Sequence, residues 1–312
     1  MSGIYVVFEK ALKDNLKIKY LAIYIAIALL PFLMFANLSE EAKLFSTLNV
    51  ELRAEYIAGF YTIFSFFWLA GIALAVLAVF ICSGFVADEL ANRTLLLMSS
   101  KPIKRTHFIL AKFAAFFITA LLFAFLSFFF SIYLWASLFN LDIFSFSKFL
   151  PFILPLLFYS VFVILVFGSL ATALSTIFST RMKALLPLIA IIMLAFFAFI
   201  PIRSAAQSLG VYNKYYLDML DLGYDLGNIY INMLDSYGIK LIPPMQSVMG
   251  TFTGVYKIPR HGLRIDYDHG IILRELEKTR YHSLKHSMVK WLIAPAILLL
   301  IGIFLFNRKD VH

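Results

Sequence analysis

The chain has 312 residues, of which 62% are hydrophobic, 17% aromatic and only 14% charged. Soluble domains run near a quarter charged, so this balance makes lipid the solvent and excludes an ordinary water-soluble globule. The formal charge of +9 does not argue for a nucleic-acid partner, because the lysines and arginines sit mainly at the ends of apolar runs and form no groove-sized cluster.

The opening segment, IYVVFEKALKDNLKIKY, spreads its charges along its length and has no small-residue cleavage site, unlike a cleavable signal peptide. Residues 4–19 instead predict an amphipathic helix. Ile4, Val7, Phe8, Ala11, Leu12 and Leu16 recur at helical spacing, with Lys10, Lys13, Asp14 and Lys17 on the other side. Such a helix suits the headgroup plane. Six apolar runs follow, at residues 20–35, 57–86, 108–139, 149–178, 184–202 and 289–306. Each is taken as long enough to cross the hydrocarbon, which needs about 18 apolar residues. The second and third approach about 30 residues, or about 45 Å of helix, and should tilt or project into the cytoplasm. The only cysteine, Cys82, lies in the second run, so no disulfide or cysteine-based metal site can form within the chain.

Charge sets the expected orientation. Lys10, Lys13, Lys17, Lys19, Arg93, Lys101, Lys104, Arg105, Arg181, Lys183, Arg308 and Lys309 fall on one side, which is therefore cytoplasmic and holds both termini. The short loops opposite carry only Lys43, Arg53 and Lys148, beside five acidic residues. Arg274, Lys278, Arg280, Lys285 and Lys290 run against the pattern. They lie in a connection longer than about 60 residues, where the charge rule loses force.

That connection is expected to form a small external α+β insertion. Tyr216, Leu220, Leu226, Tyr230 and Met233 suggest an amphipathic helix whose solvated face carries Asp218, Asp221 and Asp225. VYKI and LRIDY flank residues 259–262 as a hairpin, and a further helix through Ile272, Leu276, Leu284 and Met288 leads into the last span. The expected division is 1–202 for the interfacial helix and five spans, with a cytoplasmic loop at 87–106. An extracytoplasmic domain at 203–287 and a last span with its tail at 288–312 complete it.

The most informative stretch is that loop, DELANRTLLLMSSKPIKRTHFILAK, from Asp88 to Lys112. Two carboxylates open it, a helix-like segment follows, Pro102 breaks that segment, and a basic cluster leads into the third span. Glu89 and Arg93 are four apart and can pair along a helix. The apolar run Leu95 to Met98 suits the groove of a soluble partner, although an ordinary positively charged cytoplasmic loop has much of the same composition. The order Glu89, Arg93-Thr94, Leu95 to Leu97, Ser99-Ser100, Pro102-Ile103, Arg105 and Lys112 resembles the second-class ABC permeases. Arg93 departs from the pattern, since many members have Gly before the Thr. The nearest layout is that of the six-span permeases of copper-enzyme maturation and of drug or lipid export.

The resemblance implies that this loop is the coupling helix seated on an ATPase subunit, with Asp88, Glu89, Arg93, Thr94, Leu95, Leu96, Leu97, Pro102 and Arg105 at the contact. It also implies two ABC ATPase subunits that carry the ATP and magnesium, and a second permease chain, identical or similar. The expected whole is a plasma-membrane exporter.

Absences narrow the chemistry. There is no G-x-x-x-x-G-K-[ST] phosphate loop, so the chain is not expected to be an enzyme in its own right. No Asp, Glu or His lies in the middle of any apolar run, which argues against ion coupling. Gly71 with Ala75, and Gly168 with Thr172, share helix faces and allow close helix contact. His282 and His286 are four apart but lack a third ligand beside Lys285, so they read as surface histidines and no metal is expected. The acidic triplet lacks a calcium-loop pattern. A membrane-embedded lipid-modifying enzyme and a non-transporting assembly or scaffold protein stand as the alternative functions.

Overall fold

A computed structural model describes residues 3–35, 50–92, 104–258, 265–266, 270–271 and 275–308. Helix α1 (Gly3–Asn15) precedes α2 (Ile18–Phe35). A long composite helix follows, built from α3 (Val50–Phe64), a π-helical segment (Ser65–Ala73), α4 (Leu74–Cys82) and α5 (Gly84–Ala91). Next come α6 (Arg105–Leu138) and α7 (Leu150–Ile177), then α8 (Arg181–Met193), which continues through a second π-helical segment (Leu194–Ala198) into α9 (Phe199–Ser208). Helices α10 (Leu222–Ser236) and α11 (Pro243–Thr253) form the insertion, and α12 (Leu284–Arg308) closes the bundle.

Five of these helices are long and apolar enough to cross a membrane: 53–91, 105–138, 146–177, 181–208 and 284–308. Among the described residues the first apolar run gives a shorter apolar helix, Ile18–Pro31, with Pro31 inside it. It is nonetheless fastened to the bundle. Trp68 donates to the carbonyl of Ile27 at 2.9 Å, and the Tyr24 hydroxyl lies 3.0 Å from that of Ser127. The composite helix is buried along 89% of its most apolar stretch, against 17% for α12, so the former is the core and the latter lies at the outside of the bundle.

The small residues serve contacts inside the chain. A Cβ on Gly302 would meet the backbone of Ala173 at 3.0 Å, which lets α12 lie directly on α7. A Cβ on Gly71 would meet the Phe196 ring at 2.9 Å, and one on Gly168 would meet Phe116 at the same distance. The two π-helical segments face each other there, with the Phe67 ring 5.9 Å from Phe196 and 5.8 Å from Phe197. Local widening of the helix turn is one way to admit such rings.

The described residues of the insertion are mainly helical and do not support the expected α+β unit. Val255 and Lys257 pair with Thr279 and Glu277 by backbone hydrogen bonds of 2.8 Å, so VYKI pairs with the segment before α12; of LRIDY only Ile265 and Asp266 are described. Ile265 and Asp266 pair instead with Ile271 and Gly270 in a two-residue ladder. Helix α12 begins at Leu284, and Leu276 lies ahead of it outside any helix; Ile272 lies outside the described residues. Helix α10 also starts later than the apolar spacing suggests. Tyr216 has a left-handed φ of 54°, Leu217–Met219 is one 3-10 turn, and Asp221 caps α10 by accepting from the Tyr224 N–H at 2.9 Å. Tyr230 on α10 stacks on Phe66 at 4.9 Å and lies 5.8 Å from Tyr159, so the insertion shares the core of the bundle.

Candidate functional site

Two polar constellations stand at opposite ends of the bundle. The first flanks the connection between α5 and α6. Glu89, near the end of α5, accepts from the Lys112 ammonium on α6 at 2.7 Å, and Lys112 also donates to the Phe85 carbonyl at 2.9 Å. Their side chains are 20% and 16% exposed, dry enough for the pair to matter. Asp88 lies 3.6 Å from the Arg181 guanidinium at the start of α8. Arg181 covers the Phe80 ring at 4.1 Å and donates to the Phe80 carbonyl. Arg105, the first residue of α6, donates to the Phe306 carbonyl at 2.8 Å, at the end of α12. An apolar cluster of Val7, Val86, Phe108, Ile109, Ala111, Ile303 and Phe306 sits beneath these pairs and brings α1 to the same end.

Of the residues expected at the contact, the structure thus brings Asp88, Glu89 and Arg105 to one end. Arg93, Thr94, Leu95, Leu96, Leu97 and Pro102 lie outside the described residues, and so does the Glu89–Arg93 pairing. Sequence reasoning missed two partners. Lys112 lies 23 residues from Glu89, where no helical spacing relates them, and Arg181 read only as an orienting charge.

The second constellation is in the insertion and overturns the reading of a solvated acidic face. Asp218, Asp221 and Asp225 are all buried. Asp221 receives both edges of the Arg203 guanidinium, one at 2.7 Å on Oδ1 and the other on Oδ2, and the Tyr212 hydroxyl at 2.7 Å. Arg203 also donates to the Phe252 carbonyl at 2.8 Å. Burial, and then the neighbouring Asp221 charge, push the Tyr212 hydroxyl well above its ordinary range, which keeps it a donor. Asp225 accepts from the Ser287 hydroxyl at 2.7 Å, the Trp291 indole at 2.9 Å and the Lys290 ammonium.

These donors let Asp221 and Asp225 be buried, and helical periodicity alone does not register them, so it misplaced the triplet. The available signal was Arg203 closing one apolar run and Lys290 opening the next, two cations with no acidic neighbour close in sequence.

His282 is a correction too. Its side chain is 7% exposed and its Nε2 lies 3.4 Å from Asp218, while His286, stacked on it at 4.8 Å, is exposed as expected. Among the described residues no group of three or more His, Cys, Asp or Glu could hold a metal ion. His282→Ala with His286→Ala should leave the metal content of purified protein at background by mass spectrometry. A stoichiometric ion lost in the double variant would refute this.

The bundle of apolar helices, the fastened connection and the helical insertion meet their explanation in a family comparison, where the profile of the ABC-2 family transporter protein matches residues 6–311. The chain belongs to the ABC-2 transporter family. A comparison with curated proteins found no match. An ABC-2 transporter protein is a membrane transport component, so this chain is the permease subunit of an ABC transporter and associates with an ABC ATPase. It resides in a membrane, as its five long apolar helices require.

Proposed function

We propose that the chain is the permease of an ATP-driven exporter of the plasma membrane, receiving its mechanical input through the connection between α5 and α6. In this reading α2 is a sixth crossing, both termini and that connection are cytoplasmic, and residues 203–287 lie outside. Two permease chains, identical or similar, enclose the pathway, and two ATPase subunits carrying ATP and magnesium sit below. The direction rests on the resemblance in layout to drug and lipid exporters.

The observation that carries this reading is how the connection is fastened. Glu89–Lys112 ties α5 to α6, Asp88–Arg181 ties α5 to α8, and Arg105 ties α6 to the end of α12. A push on residues 93–103 therefore moves the ends of four membrane helices together. Nucleotide binding in the ATPases would shift the two loops and bias which face of the membrane the pathway opens toward.

The topology has a direct test. Replacing Cys82, the only thiol, gives a cysteine-free background. Cysteines at Ser39, Ser145 and Ser236 should react with an impermeant maleimide added outside whole cells, and cysteines at Ser2, Ser100 and Thr180 should react only after lysis. Labelling of Ser100 together with protection of Ser236 would reverse the orientation.

A further inference from the structure

The segment between α9 and α10 exposes five large apolar or aromatic side chains in a run of twelve residues, four of them by more than 60% and Met219 by 39%. Leu209, Tyr215, Tyr216 and Leu220 are 74%, 64%, 69% and 70% exposed. The backbone that displays them is tightly held. Val211 and Tyr212 both donate to the Ala206 carbonyl, Tyr215 donates to Val211, Leu217 to Tyr212 and Met219 to Tyr216. Between the exposed side chains, Tyr212 turns inward onto Asp221. Tyr216 itself sits at φ 54°, a left-handed conformation that bulky residues rarely adopt.

Helix length places this segment. From Arg181 to Ser208 the chain is helical over 28 residues, or about 42 Å. A bilayer measures about 40–45 Å with its headgroups. With Arg181 at one headgroup layer, Ser208 reaches the other, and residues 209–220 lie at that boundary. The exposed patch also continues the exposed face of the same helix, on which Met193, Leu194, Phe197 and Ile202 stand open. Tyrosine suits the boundary, with its ring toward acyl chains and its hydroxyl toward headgroups. The Lys214 ammonium, 5.8 Å from the Tyr215 ring, can reach lipid phosphate from there.

We propose that Leu209, Tyr215, Tyr216 and Leu220 form a lipid-anchoring tongue, seated in the headgroup–acyl boundary of the leaflet on the insertion's side. Through Tyr212 and Asp221 the tongue is joined to Arg203, so it holds the end of α9 and the start of α10 at a fixed depth in the bilayer. The proposal needs only that the chain crosses a membrane and stands apart from the transport reading.

The test uses the full chain with Cys82→Ala, carrying Tyr216→Cys or Leu220→Cys, spin-labelled and reconstituted in phosphatidylcholine–phosphatidylglycerol vesicles. Collision of the label with oxygen, which partitions into lipid, is compared with collision with a water-soluble nickel chelate. Ser236→Cys serves as the aqueous reference and Leu300→Cys, on the exposed face of α12, as the lipid reference. Both tongue positions should lose nickel contact relative to Ser236 and report a depth near the headgroups, shallower than Leu300. Nickel contact equal to that at Ser236 would mean that the patch stands in water. Shielding from both reagents would mean that protein covers it, a second copy or another partner. Either result overturns the proposal.

Discussion

Asp221→Ala should cost roughly 3–5 kcal/mol of stability, the range for removing one member of a buried ion pair. The Arg203 and Asp221 side chains are 3% and 0% exposed, so the guanidinium left behind has no water to turn to. The same substitution also removes the acceptor for the Tyr212 hydroxyl and the N-cap of α10. These contributions are separable. Asp221→Asn keeps a good cap oxygen for the Tyr224 N–H, worth about 1 kcal/mol, but loses the charge that Arg203 requires. Its effect should therefore fall between alanine and wild type. Adding Arg203→Met to Asp221→Asn should recover part of the loss, because the unpaired charge is gone even though the Phe252 carbonyl loses its donor. Thermal unfolding in detergent, read beside Asp142→Ala at an exposed position, measures the series. A wild-type midpoint for Asp221→Ala would mean that the insertion is not held by this pair.

The same residues mark what could and could not be read from the sequence. The long helices were legible because an apolar run above the spanning length has one stable outcome in lipid, where every backbone group must be satisfied internally. The first run was legible as an apolar helix but not as a full span: its described residues form a shorter apolar helix with a proline inside. The insertion was read least well. Asp218, Asp221 and Asp225 lie three and four residues apart, which on a helix is one face and in water is a solvated one. Their partners are 18 residues back at Arg203 and 65 residues on at Lys290, distances that local periodicity does not register. The hairpin failed for the same reason, since Val255 and Lys257 found partners beyond Glu275, past the nearest turn signal. At the connection, the charged residues were legible but not their partners. The charges of Asp88, Glu89 and Arg105 stood out, whereas Lys112 and Arg181 became their partners only once α6 and α8 packed beside α5.

Coupling should fail in two distinguishable ways when the connection between α5 and α6 is altered. Leu96→Asp should lose the ATPase during purification, because a carboxylate introduced into a desolvated groove must be stripped of water without a donor to receive it. Glu89→Lys should keep the ATPase bound but lose transport-stimulated hydrolysis. Here Lys112 stays in place, 16% exposed, and a second ammonium replaces its carboxylate partner. Losing a charge-assisted hydrogen bond of this kind costs about 1.5–3 kcal/mol, and each 1.4 kcal/mol is a factor of ten in an equilibrium. The tie between α5 and α6 should then open while the apolar surface of residues 95–98 remains available to the partner. Reversing both charges, Glu89→Lys with Lys112→Glu, restores the pair in the opposite sense and should recover a measurable part of the coupling. The Phe85 carbonyl, which now accepts from Lys112, would instead face a carboxylate, and that limits the recovery. Membrane level, co-purified ATPase and substrate-stimulated hydrolysis are read together for each variant, so that failure to insert is not mistaken for failure to couple. Wild-type assembly and hydrolysis in both single variants would remove this connection as the docking element. A Glu89→Lys defect that the double reversal leaves unchanged would instead locate the lost contact on the ATPase, and the Lys112 pair would be structural only.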